Sequence, residues 1–568
     1  MAVENLITEH IDIWTSAVKT KSTSGRGSSK KLELYGIKKL RKLILELAVH
    51  GKLVPQDPND EPADILVQRI MAKKKELLVD GTFKNTKKSK VHDAIISAEE
   101  LPLGWVAADF GDITFNLDAQ RIPLSVSERK GRQGIYDYYG ASGVIDSIDA
   151  YLFDKPLLLI GEDGANLVNR STPIAFMARG KYWVNNHAHV IDGISEDFLI
   201  YLSLYINSIS LIPYITGMAQ PKMNQAKMNS ILVLLPPEKE QHRIVAKVDE
   251  LMALCDQLEQ QTEDSIEAHQ VLVTTLLDTL TNSADADELM QNWARISEHF
   301  DTLFTTEESI DQLKQTILQL AVMGKLVPQD PSDEPAAELL KRIAEEKAQL
   351  VKEKKIKKEK ALPLISEDEK PFELPSGWEW CRLPDLGELA RGKSKHRPRN
   401  DPKLYEKGNI PLVQTGDVAR ANGTILTYTA KYNEFGLAQS QLWPKGTLCI
   451  TIAANIADTA TLGFDACFPD SVVGYTPYDK EIPTVYFDYF IKTAKENLER
   501  FAPSTAQKNI NLEILSNVLV PCPPMQQFPR IVKKVNLLLG ICDELKERLK
   551  ESQMSQLQLT DAIVEQAV

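Results

Sequence analysis

At 568 residues, with 43% hydrophobic and 26% charged side chains, the chain is long enough for about three or four globular domains and too apolar to be disordered throughout. A formal charge of −13 argues against a uniformly basic nucleic-acid binder. No run approaches the ~18 apolar residues of a membrane span, the first residues lack the features of a secretory leader, and the reading is a cytoplasmic protein with no membrane partner.

In chain order, ITEHID at residues 7–12 returns as ISEHFD at 296–301, so the first predicted helix belongs to a duplication. A Lys/Ser/Gly-rich stretch at 19–31 reads as a linker in the first copy only. Ile37, Leu40, Ile44 and Leu47, matched by Ile310, Leu313, Ile317 and Leu320, have the 3-4-3 spacing of one apolar helix face. Gly51 and Gly324 follow as left-handed C-caps. GKLVPQDPNDEPA and GKLVPQDPSDEPA then repeat at an offset of 273, from Gly51 to Gly324, and the same offset carries LPLGW onto LPSGW. In these turns Asp60 and Asp333 are predicted N-caps, with Pro62 and Pro335 in the first helical turn.

After each LPxGW comes an insert without identity to the other, and each reads as mixed α/β. The first supplies β-rich runs in LFDKPLLLIGEDGAN and GKYWVNNHAHVI, then a helix at DFLIYLSLYINSI; the second supplies strands in NIPLVQTGDV and GTLCITIA, then a helix at PTVYFDYFIKTAKENLERF. Both close alike: AQPKMN aligns with AQKNIN, and ILVLLPP and VLVPCPP lead into long helices. There Ile244, Val248, Leu251, Cys255 and Leu258, repeated at an offset of 287 by Ile531, Val535, Leu538, Cys542 and Leu545, have the 4-3-4-3 spacing of a coiled-coil seam. One chain holding two such helices satisfies both internally, so homo-oligomerisation through them is not expected. Cys255 and Cys542 on that seam, like the other four cysteines, read as reduced core thiols because no CxxC pair occurs.

Although the sum is acidic, the stretch from Arg391 to Arg399 holds five basic residues and no acid, as contact with a polyanion requires; on DNA, Arg or Lys would suit guanine edges and Asn or Gln adenine edges. Arg391, Lys393, Ser394, His396, Arg397 and Arg399 form the richest such loop, with Gln414, Thr415 and Asp417 ending a predicted strand nearby. In the first insert the candidates are Tyr138, Tyr139, Ser142, Asp163, Asn166, Asn185, Asn186, His187 and His189, although Asn and Ser in glycine-rich turns are often turn-formers. The shared Gln220, Asn224, Gln507 and Asn511 are better placed to cap closing helices than to read different sequences.

The LAVxGKLVPQDPxDEPA repeat, the LPxGW opening, the PPxxxQxRIVxxV exit and the circular order of repeats resemble the specificity subunits of type I restriction-modification enzymes, in the branch with long amino-terminal and central conserved regions. The resemblance covers nearly the whole chain, and it implies a mixed α/β fold. Two target-recognition domains would be separated by long helices forming an intramolecular antiparallel coiled coil, in a pseudo-twofold tandem duplication. The implied boundaries are a helical region at 1–104, recognition domains at 105–235 and 378–522, a central helical region at 236–377 and a final helix at 523–568.

The resemblance also implies that each recognition domain reads half of a split, asymmetric site in double-stranded DNA. Two modification subunits would bring S-adenosylmethionine for adenine N6 methylation, and two restriction subunits would bring ATP and Mg for translocation and cleavage. This chain would bind no cofactor or metal and catalyse nothing. Its residues agree, for they contain neither a GxxxxGK[ST] loop nor an (N/D)PP(Y/F) motif with a glycine-rich cofactor loop. Two alternatives stand beside this reading: a metal-dependent enzyme built on His187 and His189, and a coiled-coil scaffold indifferent to DNA sequence.

Overall fold

The computed structural model describes residues 3–21, 31–79, 101–217, 220–354, 356, 362–453, 456–500 and 510–567. Most of the predicted linker, much of the lysine run at 352–360, and Gln507 lie outside them. The chain divides into two units, residues 1–265 with 552–568, and residues 266–551.

In the first unit, helix α1 (Tyr35–Val49) buries the predicted stripe of Ile37, Leu40, Ile44 and Leu47. Gly51 ends it at φ +68°, where a Cβ would lie 2.6 Å from Pro102 Cγ, so glycine both turns the chain left-handed and admits the LPxGW segment. Helix α2 (Ala63–Val79) begins beside that segment, with the Ala63 amide donating to the Gly104 carbonyl at 2.8 Å. Asp60 is engaged by Arg243 at 2.6 Å, which replaces the helix-capping role predicted for it. Pro62 precedes the first helical residue instead of lying inside the turn.

Strand β1 (Val106–Asp109) opens the insert and pairs antiparallel with Leu232–Leu235, which closes it. Between them run β2 (Phe115–Asn116), β3 (Gln133–Gly140), β4 (Gly143–Ile148), β5 (Leu157–Gly161), β6 (Ala175–Ala178), β7 (Tyr182–Val184) and β8 (Ala188–Asp192). They form a four-stranded antiparallel sheet in the order β2-β8-β5-β6 and a three-stranded sheet in the order β4-β3-β7. Helix α3 (Glu196–Ser208) is tied to the closing strand β9 (Leu232–Leu235) by the Tyr201 and Tyr205 hydroxyls, which donate to the Leu234 and Leu232 carbonyls at 2.5 and 3.0 Å. Helix α4 (Glu238–Asn282) follows and continues into the second unit.

The second unit repeats the frame. Helix α5 (Glu307–Val322) carries Ile310, Leu313, Ile317 and Leu320 into the core and ends at Gly324, φ +71°. Helix α6 (Ala336–Lys352) starts with the Ala336 amide on the Gly377 carbonyl at 2.8 Å, while Asp333 is bound by Arg530 instead of capping the helix. Strand β10 (Glu379–Arg382) pairs with Leu519–Cys522 across the second insert. There β11 (Gly387–Arg391), β12 (Thr424–Ile425), β13 (Leu448–Thr451), β14 (Thr459–Leu462) and β15 (Val472–Pro477) form a sheet in the order β11-β15-β13-β14-β12. Four shorter strands make a separate sheet. Helix α7 (Thr484–Arg500) is pinned by the Tyr486 hydroxyl to the Pro521 carbonyl at 2.7 Å on β16 (Leu519–Cys522), after which α8 (Gln527–Ala567) begins.

Each unit therefore contains the first half of one long helix and part of the other, with its own short helix touching both. In the first, Arg41 of α1 pairs with Asp256 at 2.6 Å while Lys39 pairs with Asp561 at 2.6 Å. In the second, Lys314 of α5 pairs with Asp543, and Gln312 bonds Thr274 at 3.2 Å. The seam residues Ile244, Val248, Leu251, Cys255 and Leu258 are buried in one core with the α1 stripe and Ile563. Ile531, Val535 and Cys542 are buried as well, while Leu538 and Leu545 pack at the core margin beside the α5 stripe. Burial pushes the Cys255 and Cys542 thiols up to about 11, as suits inert packing groups.

The two frames differ at one buried joint. Trp378 donates to Gln329 and Gln527 at 2.9 and 3.2 Å, and Gln527 donates to Gln329 at 2.7 Å. The first copy places Glu240 where Gln527 stands: its Oε1 accepts from Trp105 and Gln56 at 3.1 and 3.2 Å, and its buried Oε2 has no partner among the described residues. Burial raises the Glu240 carboxyl against the pull of those two hydrogen bonds. A carboxyl raised by folding stabilises fully below its ordinary value of 4.5, and that contribution is lost as the pH climbs through the raised value. Glu240→Gln is therefore expected to stabilise the first unit by about 1 kcal/mol at pH 8 and to lose that advantage below pH ~4.5, as measured by denaturant unfolding across pH.

Candidate nucleic-acid interface

Apart from their closing segments the inserts show no sequence identity, yet the sheet order β2-β8-β5-β6 matches β11-β15-β13-β14 strand for strand. The backbone agrees in detail. The Glu162 amide donates to the His187 carbonyl at 2.8 Å, and the Ile452 amide to the Ser471 carbonyl at 3.0 Å. Met223 donates to Glu162 at 2.8 Å, and Ile510 to Ile452 at 3.0 Å. The turn at 185–187 thus occupies the place of the turn at 469–471, and in both inserts the loop after the edge strand runs beside that turn.

In the second insert this loop holds Arg391 to Arg399. Gly392 donates to Val472 at 2.9 Å and lies so close to the turn that a Cβ would meet the Phe468 and Pro469 carbonyl oxygens at 2.3 and 2.4 Å. Arg391 donates through Nε and Nη2 to the Asp470 carbonyl oxygen at 2.9 and 2.6 Å, and Arg399 Nη2 reaches both Asp470 carboxylate oxygens at 2.7 Å. Arg397 Nη2 stands 4.0 Å from the same carboxylate. Its Nη1 donates to the Ser394 and His396 carbonyls at 2.5 and 2.9 Å. His396 Nε2 meets Asp401 at 2.7 Å, whose carboxyl is held below its ordinary value by the Lys403 amide and by His396. Ser440 fixes the carbonyl of the exposed Lys393 at 2.9 Å. The six residues predicted in this loop do come together, whereas the turn that organises them, with Asp470, is not among the predicted residues. The signal for it is the FPDSVVG motif, whose Asp stands just before a strand that is buried at all but one position.

Gln414, Thr415 and Asp417 stand elsewhere than predicted. The strand ends at Leu412 and a helix runs from Thr415 to Arg420. Asp417 is buried at its start, accepting from the Gln414 amide at 2.9 Å, Arg420 at 2.7 Å and Thr429 at 3.1 Å, so it has no free surface for DNA, while Gln414 remains exposed.

In the first insert several candidates are structural. Tyr138 is fully buried, with its hydroxyl accepting from the Leu124 amide at 3.0 Å and Arg129 lying 4.9 Å over its ring. Tyr139 is packed against Phe176 and Tyr182. Asn185 is buried and accepts from the His187 amide at 2.7 Å. Asn166 holds a turn through the Thr172 amide at 3.0 Å. His189 is buried between Asp118, 2.6 Å from Nδ1, and the Met223 carbonyl, 2.9 Å from Nε2. The exposed candidates are Ser142, Asn186 and His187, the last facing the half-buried Asp163 at 2.8 Å.

His189 belongs to a network that the sequence does not reveal. Arg121, from the loop after the edge strand, donates to Glu162 at 2.9 Å and to the Ala188 carbonyl at 2.7 Å, and Lys222 pairs with Glu162 at 3.1 Å. Burial opposes ionisation of Asp118, but His189 and Arg121 outweigh it and hold the carboxyl below its ordinary value. That contribution to stability is present above the ordinary aspartate range and is lost as the pH falls through the lowered value. His187 and His189 form no ligand pair, and no group of three His, Cys, Asp or Glu is arranged to hold a metal among the described residues.

Comparison with known proteins agrees with the duplicated frame. The family model described as the type I restriction modification DNA specificity domain matches residues 102–268 and 375–552. The chain belongs to the type I restriction-modification DNA specificity family. It is 39% identical to the type I restriction enzyme EcoAI specificity subunit of Escherichia coli and 38% identical to the EcoEI specificity subunit of the same organism, each over 100% of both chains. The HsdS subunit from Thermoanaerobacter tengcongensis aligns with 82% of this chain and 97% of its own, at 16% identity and a TM-score of 0.40.

The chain's function is sequence recognition in a type I restriction-modification system, and neither the stand-alone metal enzyme nor the sequence-blind scaffold finds support. Among the described residues no helix is long and apolar enough to cross a membrane. The network around His189 predicts a clean separation of roles in this specificity-family chain. His189→Ala should cost the first unit about 2 kcal/mol, because it removes one of the partners of the buried Asp118 carboxylate and leaves the Met223 carbonyl without its ring nitrogen. His187→Ala, at an exposed site, should shift unfolding by less than about 0.5 kcal/mol; differential scanning calorimetry of both variants checks the pair.

Proposed function

We propose that each insert reads one half of a split, asymmetric site in double-stranded DNA, with the loop after its sheet edge and the adjoining turn as the reading surface. One observation carries this reading: a loop and its adjoining turn, of unlike chemistry in the two inserts, occupy the same position on sheets of the same order. The second presents Arg391, Lys393, Ser394, His396, Arg397 and Arg399, whose donors suit guanine edges and phosphates. The first presents Asn186, His187 and Asp163, with Ser142 on the neighbouring hairpin, a mixture of donors and acceptors that suits other base edges.

The chain itself contributes recognition, and partner subunits contribute the chemistry. Two modification subunits would bring S-adenosylmethionine to adenine N6, drawing the target base out of the stack. Two restriction subunits would bring ATP and Mg for translocation and cleavage. Docking in pairs follows from a frame that is presented twice, since equivalent surfaces accept equivalent partners.

Genome-wide mapping of N6-methyladenine in a host with and without this gene should show a two-part motif that disappears with it. Replacing residues 106–235 by the corresponding insert of another member should change one half of that motif and leave the other half intact. A motif altered in both halves, or in neither, would refute the assignment of one half-site to each insert.

A further inference from the structure

The second insert carries an arrangement that recognition by charge alone does not require. Five cations, Arg391, Lys393, Lys395, Arg397 and Arg399, lie within nine residues, and three of their guanidinium groups gather on one residue 71 positions beyond Arg399. Arg391 is fixed by the Asp470 main-chain carbonyl and Arg399 by its carboxylate. The contact is possible because Gly392 allows the loop to lie directly on the Phe468–Pro469 backbone. The clamp is not a buried structural ion pair, since the Asp470 side chain is 33% exposed and that of Arg399 50% exposed. It holds two long side chains in defined directions at the surface, where their rotamer entropy would otherwise oppose a single docking geometry.

We propose that Asp470 is a positioning residue for base selection by the second insert. Its carboxylate stands where a DNA phosphate oxygen could compete for Arg399 and orients that guanidinium fork, with Arg397 4.0 Å away, before DNA arrives, while its main-chain carbonyl holds Arg391. The inference rests on the reading of this loop as a DNA-reading surface. It adds that selectivity depends on an acidic residue that itself lowers affinity for the polyanion.

The test uses the chain assembled with its partner subunits and measures binding by fluorescence anisotropy. The duplexes are the mapped site, the site with a mismatched second half, the site with a mismatched first half, and unrelated DNA, each across a salt series. Asp470→Asn should reduce discrimination at the second half at least tenfold, leave discrimination at the first half within twofold, and steepen the salt dependence on unrelated DNA by about one counterion. Asp470→Glu, which keeps the charge but displaces the carboxylate, should also lose second-half discrimination while retaining the native salt slope.

Second-half discrimination preserved within twofold in either folded variant would overturn the role of Asp470. Should Asp470→Asn unfold the insert, Asp470→Glu alone decides between the two outcomes. Alanine at Arg391, Arg397 and Arg399 separates this failure from failure of the underlying reading. If those replacements leave second-half discrimination intact, the loop does not read bases; if they abolish it while the Asp470 variants do not, only the clamp is refuted.

Discussion

The fold depends on holding both ends of each insert with the same few contacts. An antiparallel strand pair, Val106–Asp109 with Leu232–Leu235 and Glu379–Arg382 with Leu519–Cys522, brings the chain back to where it left the frame. Beside each pair a tryptophan is locked under the long helix, Trp105 by Glu240 and Trp378 by Gln527. An arginine one turn further along that helix grips the Pro-rich turn, Arg243 on Asp60 and Arg530 on Asp333. These joints need particular side chains. Removing the residue that partners Trp105, Trp378, Asp60 or Asp333 leaves a buried polar group unpaired, at a cost of about 1–3 kcal/mol, so the segments that supply these contacts stay nearly identical in the two copies. An insert closed on itself by a strand ladder places no such demand on the residues between its ends.

This constraint explains why the duplication was legible and the relation between the inserts was not. The stripes of α1 and α5, the glycine C-caps and the long helices follow from spacing and composition, and the structure has them where predicted. Asn224 and Asn511 cap closing helices, accepting from the Lys227 and Ile514 amides at 3.0 and 2.8 Å. Sheet order is carried by main-chain hydrogen bonds, which any β-compatible residues can make, so β2-β8-β5-β6 and β11-β15-β13-β14 coincide without leaving a trace of identity.

Individual site residues were harder to read because polar side chains near turns serve two ends. Asn185, Asn166 and His189 present the donors and acceptors that base reading requires, and their own backbone and a buried carboxylate consume them. Asp417 reads as the end of a strand because IPLV is β-rich, but the TGDV that follows starts a helix, and the Asp417 carboxylate accepts from the Gln414 amide just ahead of it. The arginine loop was visible in composition, since five basic residues without an acid have few intramolecular partners nearby. Its organiser is harder to read, because the Asp470 of FPDSVVG lies 71 positions beyond Arg399 and only the fold brings the two together.

A net charge of −13 is compatible with a DNA-reading chain once the carboxylates are located. Asp60, Asp256, Asp311, Asp333, Asp543 and Asp561 are each engaged by a Lys or Arg of the frame, so these carboxylates are neutralised where they stand. At the reading surfaces the balance differs between inserts. Arg121 and Lys222 meet Glu162, and Asp118 meets His189, leaving the first surface close to neutral. The second keeps five cations against Asp401 and Asp470. Screening shortens the reach of exposed charge to about 8 Å at physiological ionic strength, so each half-site would sense the surface pressed against it and not the sum over the chain. The local imbalance at the second surface, and not the acidic total, would then set how strongly that insert attracts a phosphate backbone.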